Sequence, residues 1–252
     1  MAPRRRLDAE LVRRGLAGSR AEAHYVVDAG LVTVAGAPAL KASRLVAADE
    51  ALALVGVRRF VSRGGDKLDA ALDHFHIDVT GLVALDAGAS TGGFTDCLLQ
   101  RGASRVVAVD VGHGQLHEKL RDDGRVVVHE GVNVRHVDRA MIGGPFDVVV
   151  ADLSFISLRT VAPALLALTC PSGTLVWLVK PQFEAGRQEV SRGKGVVRDE
   201  DVRQRVRAEI DEDLTTRGAI VLGWMDCPVP GPAGNVELFV HARMPCNESS
   251  DR

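Results

Sequence analysis

The sequence predicts an α/β chain in two parts, a small helix, helix, sheet unit over residues 1–57 and a doubly wound parallel sheet over residues 64–245, with a linker at 58–63 and a flexible tail at 246–252. Three observations predict it. Near-continuous apolar runs alternate with helical stretches from residue 82 onward, as required when both faces of a parallel sheet are covered. A glycine-rich turn follows the first of those runs. Charge divides the chain at the same place: residues 1–63 carry 11 Lys and Arg against 6 Asp and Glu, so +5 there leaves −7 on the rest of a chain whose formal net charge is −2. A basic piece on an acidic chain suggests a polyanionic partner for that piece, unless the charge only solvates its surface.

With 252 residues, 46% of them hydrophobic, the chain can bury a substantial core. No apolar run approaches the roughly 18–20 residues that a membrane span needs. Asp8, Glu10, Arg13 and Arg14 interrupt the stretch where a signal peptide would be apolar, so a cytoplasmic protein is expected. Cys97, Cys170, Cys227 and Cys246 stand far apart without a Cys-x-x-Cys pair, which points to reduced thiols and to no metal.

In the small unit, Leu7, Leu11 and Leu16 give a helical apolar spacing with arginines between them, and Ser19 with Glu22 forms an S-x-x-E pattern that opens a second helix. Gly30 ends that helix; residues 31–34 read as a strand, 35–38 as a turn and 52–55 as a second strand. The patterns Ser19-Arg20-x-x-Ala23, Gly30-x-Val32-x-Val34-x-Gly36 and Lys41-x-Ser43-x-x-Val46 resemble the small α+β RNA-binding domain of ribosomal protein S-four, shared with pseudouridine synthases. The resemblance implies that Arg4, Arg5, Arg6, Arg13, Arg14, Arg20, Lys41 and Arg44 contact phosphates of folded RNA, positioning the protein without reading much sequence. Any one of them can instead merely solvate its helix.

In the larger unit, 82–85, 105–109, 125–128, 146–150 and 174–179 are the expected buried strands, with helices at 95–101 and 157–168 among those between them. A polar helix at about 199–216 and two more strands, 219–224 and 236–242, complete one Rossmann-like domain. Its first strand runs into Asp86-Ala87-Gly88-Ala89-Ser90-Thr91-Gly92-Gly93-Phe94, a loop that lets a ligand approach the backbone at a helix N-terminus. Ser90 stands where a dinucleotide fingerprint has its second glycine, and no Gly-Lys-Ser/Thr ending follows, so a pyrophosphate site is not expected. Asp110 ends the next strand, where an acid either hydrogen-bonds a ribose diol or caps a turn. These features fit an adenosine ligand without pyrophosphate. S-adenosylmethionine is the natural candidate, with Asp86, Gly88, Ser90, Thr91, Gly92, Gly93 and Asp110 as contacts and Asn133 at the adenine edge.

Only 5 lysines occur against 26 arginines, so a lysine at a special point is informative. Lys67 opens the first helix of the larger unit, Lys180 ends the strand before Pro181, Asp152 ends the strand before it, and Glu237 lies in the last strand. Ligands of open α/β sheets bind outside the carboxyl ends of the strands, and a desolvated lysine can release a proton whereas an arginine cannot. Surface salt bridges are the alternative reading of the same four residues.

Lys67, the D-A-G-A-S-T-G-G-F loop, A-D-L-S-F-I-S at 151–157, L-V-K-P-Q-F-E at 178–184 and G-P-x-G-N-V-E at 231–237 resemble the TlyA family within the FtsJ-like 2′-O-methyltransferases, across both parts of the chain. The resemblance implies an S-adenosylmethionine-dependent methyltransferase domain behind an RNA-binding domain, acting on cytidine ribose 2′-hydroxyls of 16S or 23S ribosomal RNA in ribosomal subunits. It also implies a catalytic tetrad of Lys67, Asp152, Lys180 and Glu237, with Lys180 handling the hydroxyl proton, and requires no metal. Members of the family sensitise bacteria to capreomycin and viomycin and have been labelled haemolysins. A monomer is expected. The competing functions are a non-enzymatic RNA-binding assembly factor and a haemolysin; the second would need a membrane-active segment that the sequence does not display. Residues 182–198, long, basic and glycine-containing, are expected to form a flexible wall of the RNA site, or plain disorder.

Overall fold

A computed structural model describes residues 4–56, 59–186, 196–231 and 234–246, and the chain divides into two units, Met1–Arg63 and Gly64–Arg252. In the first, strand β1 (Arg5–Arg6) leads into helix α1 (Leu7–Arg13), then α2 (Arg20–Asp28), β2 (Val32–Val34), β3 (Ala37–Pro38), β4 (Leu45–Val46) and β5 (Leu52–Leu54). β2 is the centre of an antiparallel β3-β2-β5 sheet, and β1 pairs with β4. Leu7, Leu11, Val26, Val32 and Val34 form the heart of this unit's core, which is the periodicity the sequence displays. Ser19 Oγ accepts the N–H of Glu22 at 3.1 Å, and Glu22 Oε2 accepts the N–H of Gly18 at 2.5 Å, so the capping pattern starts α2 as expected.

The second unit is built on β6 (Val83–Ala87), β7 (Arg105–Asp110), β8 (Val126–Glu130), β9 (Phe146–Ala151) and β10 (Thr169–Val179), all parallel to their neighbours in the order β10-β9-β6-β7-β8. Helices α3 (Arg63–His74), α4 (Gly93–Gln100), α5 (Glu118–Arg121), α6 (Arg139–Ile142), α7 (Leu158–Leu168), the single turn α8 (Pro181–Glu184) and α9 (Glu200–Thr216) accompany them. Alternate strand residues face opposite sides of the sheet. Leu85, Val107, Val149, Trp177 and Val240 join α7 and α9 in one core, into which the otherwise polar α9 places Val206, Ile210 and Leu214 at intervals of one turn. On the other side, Phe94 of α4 stacks on Phe239 with ring centroids 6.1 Å apart.

The parallel order expected for the core strands ends at the sheet's far edge. β11 (Ile220–Asp226) and β12 (Leu238–Arg243) form an antiparallel pair, and β12 inserts antiparallel between β11 and β10. No helix occurs among the described residues between Asp226 and Leu238, and without a crossover helix consecutive strands can pair only antiparallel. The inversion matters because it brings the start of β12, not its end, to the carboxyl edge of the sheet: Leu238 pairs with Val179. Among the described residues no helix is long and apolar enough to cross a membrane.

Candidate active site

Four strand ends meet at this edge. Lys180 follows β10, Asp152 follows β9, and Asp86 and Asp110 lie at the ends of β6 and β7. Glu237 was expected inside the last strand; it stands one residue before β12, and the antiparallel pairing is what carries it there. Lys180 Nζ lies 2.5 Å from Asp152 Oδ1 and donates to Ser154 Oγ at 2.9 Å. Lys67, on α3, places Nζ 2.5 Å from Oε2 of the fully buried Glu237. Glu237 Oε1 has no hydrogen-bond partner, and Gly231 lies so close to it that a Cβ there would fall 2.5 Å away. Lys67, Glu237 and Asp152 are within electrostatic reach of Cys227, whose thiol burial pushes up to about 11. The four residues thus form two lysine–carboxylate pairs. Of the two, the Lys67 pair is more deeply buried.

Beside them, the glycine-rich loop turns between β6 and α4. Gly88 has φ +88, and a Cβ on it would lie 2.6 Å from the carbonyl oxygen of Asp152, so only glycine allows this loop to touch the Asp152 segment. Ser90, at the position of the missing fingerprint glycine, keeps the left-handed backbone (φ 47), and its N–H donates to Asp110 Oδ2 at 2.8 Å. Gly112 N–H donates to Asp110 Oδ1 at 2.7 Å. Asp110 thus caps a turn, and two backbone N–H groups fix the orientation of its carboxylate. Gly92 (φ +94) is the N-cap of α4 and Gly93 its first residue, while Thr91 is exposed and its carbonyl accepts from His117. Asp86 is completely buried; its Oδ2 accepts from Thr95 Oγ1 at 2.6 Å, its Oδ1 has no partner, and burial raises its pKa to about 7. Asn133 is exposed, and its Oδ1 accepts from Arg135 N–H at the start of a short 3₁₀ turn.

The structure brings in further residues of the surrounding motifs that the sequence did not single out. Ser154 contacts Lys180. Phe155 stands 90% exposed at φ 66, its ring 5.1 Å from that of Phe183. Glu184 is buried and bonded to Ser157 and Leu158. The signal for each was a polar or aromatic residue two to five positions from a tetrad member.

The FtsJ-like methyltransferase family matches residues 60–244, and the S4 domain matches residues 5–52. The chain belongs to the FtsJ-like methyltransferase family. Within it, the 16S/23S rRNA (cytidine-2′-O)-methyltransferase TlyA of Mycobacterium tuberculosis is 51% identical over 96% of this chain and 91% of its own length. Hemolysin A of Brachyspira hyodysenteriae is 38% identical over 94% of this chain and 98% of its own. A solved structure from Streptococcus thermophilus, carrying a provisional hemolysin name, superposes with TM-score 0.76 at 38% identity, covering all of this chain and 93% of that one.

In the S4 domain that precedes the FtsJ-like one, most of the arginines singled out from sequence are already engaged. Arg6 and Arg20 both hold the buried Asp8, at 2.8 and 2.9 Å, with His24 at 2.9 Å; the Arg6 guanidinium first among them holds that carboxyl well below the usual range. Arg13 and Arg14 hold Glu10 at 2.6 and 2.8 Å, and Arg14 also donates to the carbonyls of Glu50 and Ala48. Arg4 and Arg44 approach Glu50, each at 3.8 Å. Arg5 and Lys41 are exposed and form no ion pair among the described residues. The expected flexible wall falls mostly on residues 187–195, and the tail on 247–252; both lie outside the described residues, as do Val57 and Arg58 of the linker region.

Proposed function

We propose that this chain transfers a methyl group from S-adenosylmethionine to the ribose 2′-hydroxyl of cytidine in ribosomal RNA. The observation that carries the reading is the pair of lysine–carboxylate contacts at the carboxyl edge of the sheet, beside a glycine-rich loop that abuts Asp152. The cofactor fits this chain: Asp110 is aimed by two backbone N–H groups, Gly88 and Gly92 hold the backbone open in left-handed conformations, and Asp86 Oδ1 is a buried acceptor in want of a donor. Asp86, Gly88, Ser90, Thr91, Gly92, Gly93 and Asp110 would hold it, with Asn133 at the adenine. When bound, S-adenosylmethionine supplies an electrophilic methyl on a sulfonium whose departure leaves a neutral thioether.

The rest is the work of the chain. A ribose hydroxyl is a weak nucleophile at neutral pH, so its proton must be held or taken as the oxygen attacks. Lys180 Nζ is the atom assigned that role, oriented by Asp152 and Ser154. Lys67, oriented by Glu237, supplies a second cation that stabilises charge developing on the oxygen. Phe155, exposed and backed by Phe183, offers a face on which a base drawn out of its stack can rest. Arg5 and Lys41, with the exposed edges of the paired arginines, contact phosphates, and residues 58–63 serve as the joint between the domains. The substrate lies in ribosomal subunits, and the protein acts on it in the cytoplasm as a monomer.

The deciding experiment is methyl transfer from labelled S-adenosylmethionine to purified small and large subunits, both tested because the mycobacterial relative is named for 16S and 23S RNA. Label at a cytidine 2′-O in either is expected. No incorporation into either subunit or into extracted RNA would return the chain to the class of RNA-binding assembly factors.

A further inference from the structure

The motifs at 151–157 and 178–184 contribute one tetrad member each, yet they meet along their whole length. Lys180 touches Asp152 and Ser154, Phe183 lies against Phe155, and Glu184 bonds Ser157 and Leu158. The single turn α8 makes this possible, because residues at i, i+3 and i+4 of a helix share one side, and Lys180 as N-cap, Phe183 and Glu184 have that spacing.

The last of the three contacts is the costliest to build. Glu184 is only 7% exposed, and burial pushes its pKa up despite its partners. Its Oε2 accepts from Ser157 Oγ and its Oε1 from the N–H of Leu158, at 2.5 and 2.7 Å, with Arg159 at 3.7 Å. Starting α7 does not require it, since Ser157 Oγ already accepts from Arg159 N–H as an N-cap. Between the Lys180 and Glu184 contacts lies Phe155, a non-glycine residue at positive φ with its ring in solvent. Such a conformation persists only when its surroundings impose it.

We propose that Glu184 is a positioning residue for methyl transfer: it clamps the far end of the 152–158 connection to the turn that carries Lys180, keeping Ser154 on the lysine and Phe155 presented to RNA. The proposal rests on the methyltransferase reading, but the clamp can be tested apart from it.

Amide hydrogen exchange of the full chain needs no substrate. Glu184→Ala should speed exchange at residues 153–158 by tenfold or more while the strands of the sheet keep their protection. In the methylation assay the same variant should lose tenfold or more in kcat, with KM for S-adenosylmethionine within twofold of the wild type. Glu184→Gln, whose amide oxygen can still accept from Leu158 N–H and whose NH₂ can donate to Ser157 Oγ, should recover most of that loss. Unchanged exchange at 153–158 in a folded Glu184→Ala protein would overturn the clamp, and so would unchanged kcat. If Glu184→Ala fails to fold, Ser157→Ala removes one of the two bonds together with the α7 N-cap and should raise exchange at 153–158 and lower kcat by threefold or more; no change in either overturns the proposal. A wild-type protein inert on ribosomal RNA defeats the methyltransferase reading alone, and the exchange experiment still decides the clamp.

Discussion

Lys180 and Lys67 carry the same charge in different company. Lys180 contacts a partly exposed carboxylate and a hydroxyl, whereas Lys67 is sealed against the fully buried Glu237. If Lys180 handles the proton, Lys180→Arg should leave folding and cofactor binding intact and lower turnover by about 10² or more, because arginine does not release its proton. Lys67→Arg should keep more activity, since a permanent cation still stabilises the oxygen. Labelled methyl incorporation at saturating subunits compares the two; a Lys180→Arg enzyme of near-normal turnover would show that another group takes the proton. Asp86 offers a separate test in pH. Its folded pKa, about 7 because of burial, lies above the ordinary value of about 4. Between those values the folded state holds a proton that the unfolded state has released, so this group's contribution to stability falls as pH rises through the window. Asp86→Asn should remove that decline, and denaturant titrations at pH 5 and pH 8 should show the variant gaining on the wild type by up to about 1.4 kcal/mol per pH unit.

The connections after β6 and β9 are held in contact by what Gly88 lacks. Gly88→Ala places a Cβ 2.6 Å from the Asp152 carbonyl at φ +88. Gly218, after α9, has the same φ of +88 with nothing within 4 Å, so Gly218→Ala measures the left-handed penalty by itself, about 1–2 kcal/mol. Gly88→Ala should cost more than that and should also depress methyl transfer, since the Asp152 segment must shift. Equal stability losses for the two variants, with full activity in both, would mean that the contact is incidental. The edge hairpin β11–β12 shows the same dependence at larger size: its inversion, and not any feature of Glu237 itself, sets that carboxylate opposite Lys67.

Across the molecule, charge is divided between two units with separate cores. A chain lacking residues 1–60 should bind S-adenosylmethionine as before but bind ribosomal subunits more weakly and with a shallower salt dependence, by about 0.7–0.9 in log–log slope for each phosphate no longer neutralised. Filter binding at several salt concentrations measures this; identical slopes would remove the small unit from RNA recognition. The change in slope should be smaller than the 10 basic residues of that segment suggest, because Asp8 and Glu10 already neutralise much of Arg6, Arg20, Arg13 and Arg14, and the Glu50 carboxylate lies near Arg4 and Arg44.

Strand and helix order, the two-part organisation, the glycine-rich loop and the four residues of the two lysine–carboxylate pairs were legible in the sequence, because apolar periodicity, turn residues and scarce lysines are local properties. Even Ser90 in place of glycine was visible, although its left-handed backbone was not. Tertiary structure decided what depends on the distance between segments remote in the chain. It paired Lys67 with Glu237 across 170 positions, turned the last strand over, drew four of the seven arginines singled out in the small unit onto buried carboxylates, and joined the 151–157 and 178–184 motifs side by side. A side chain's composition announces what it can bond; only the packed fold brings a partner within the roughly 3 Å at which the bond forms.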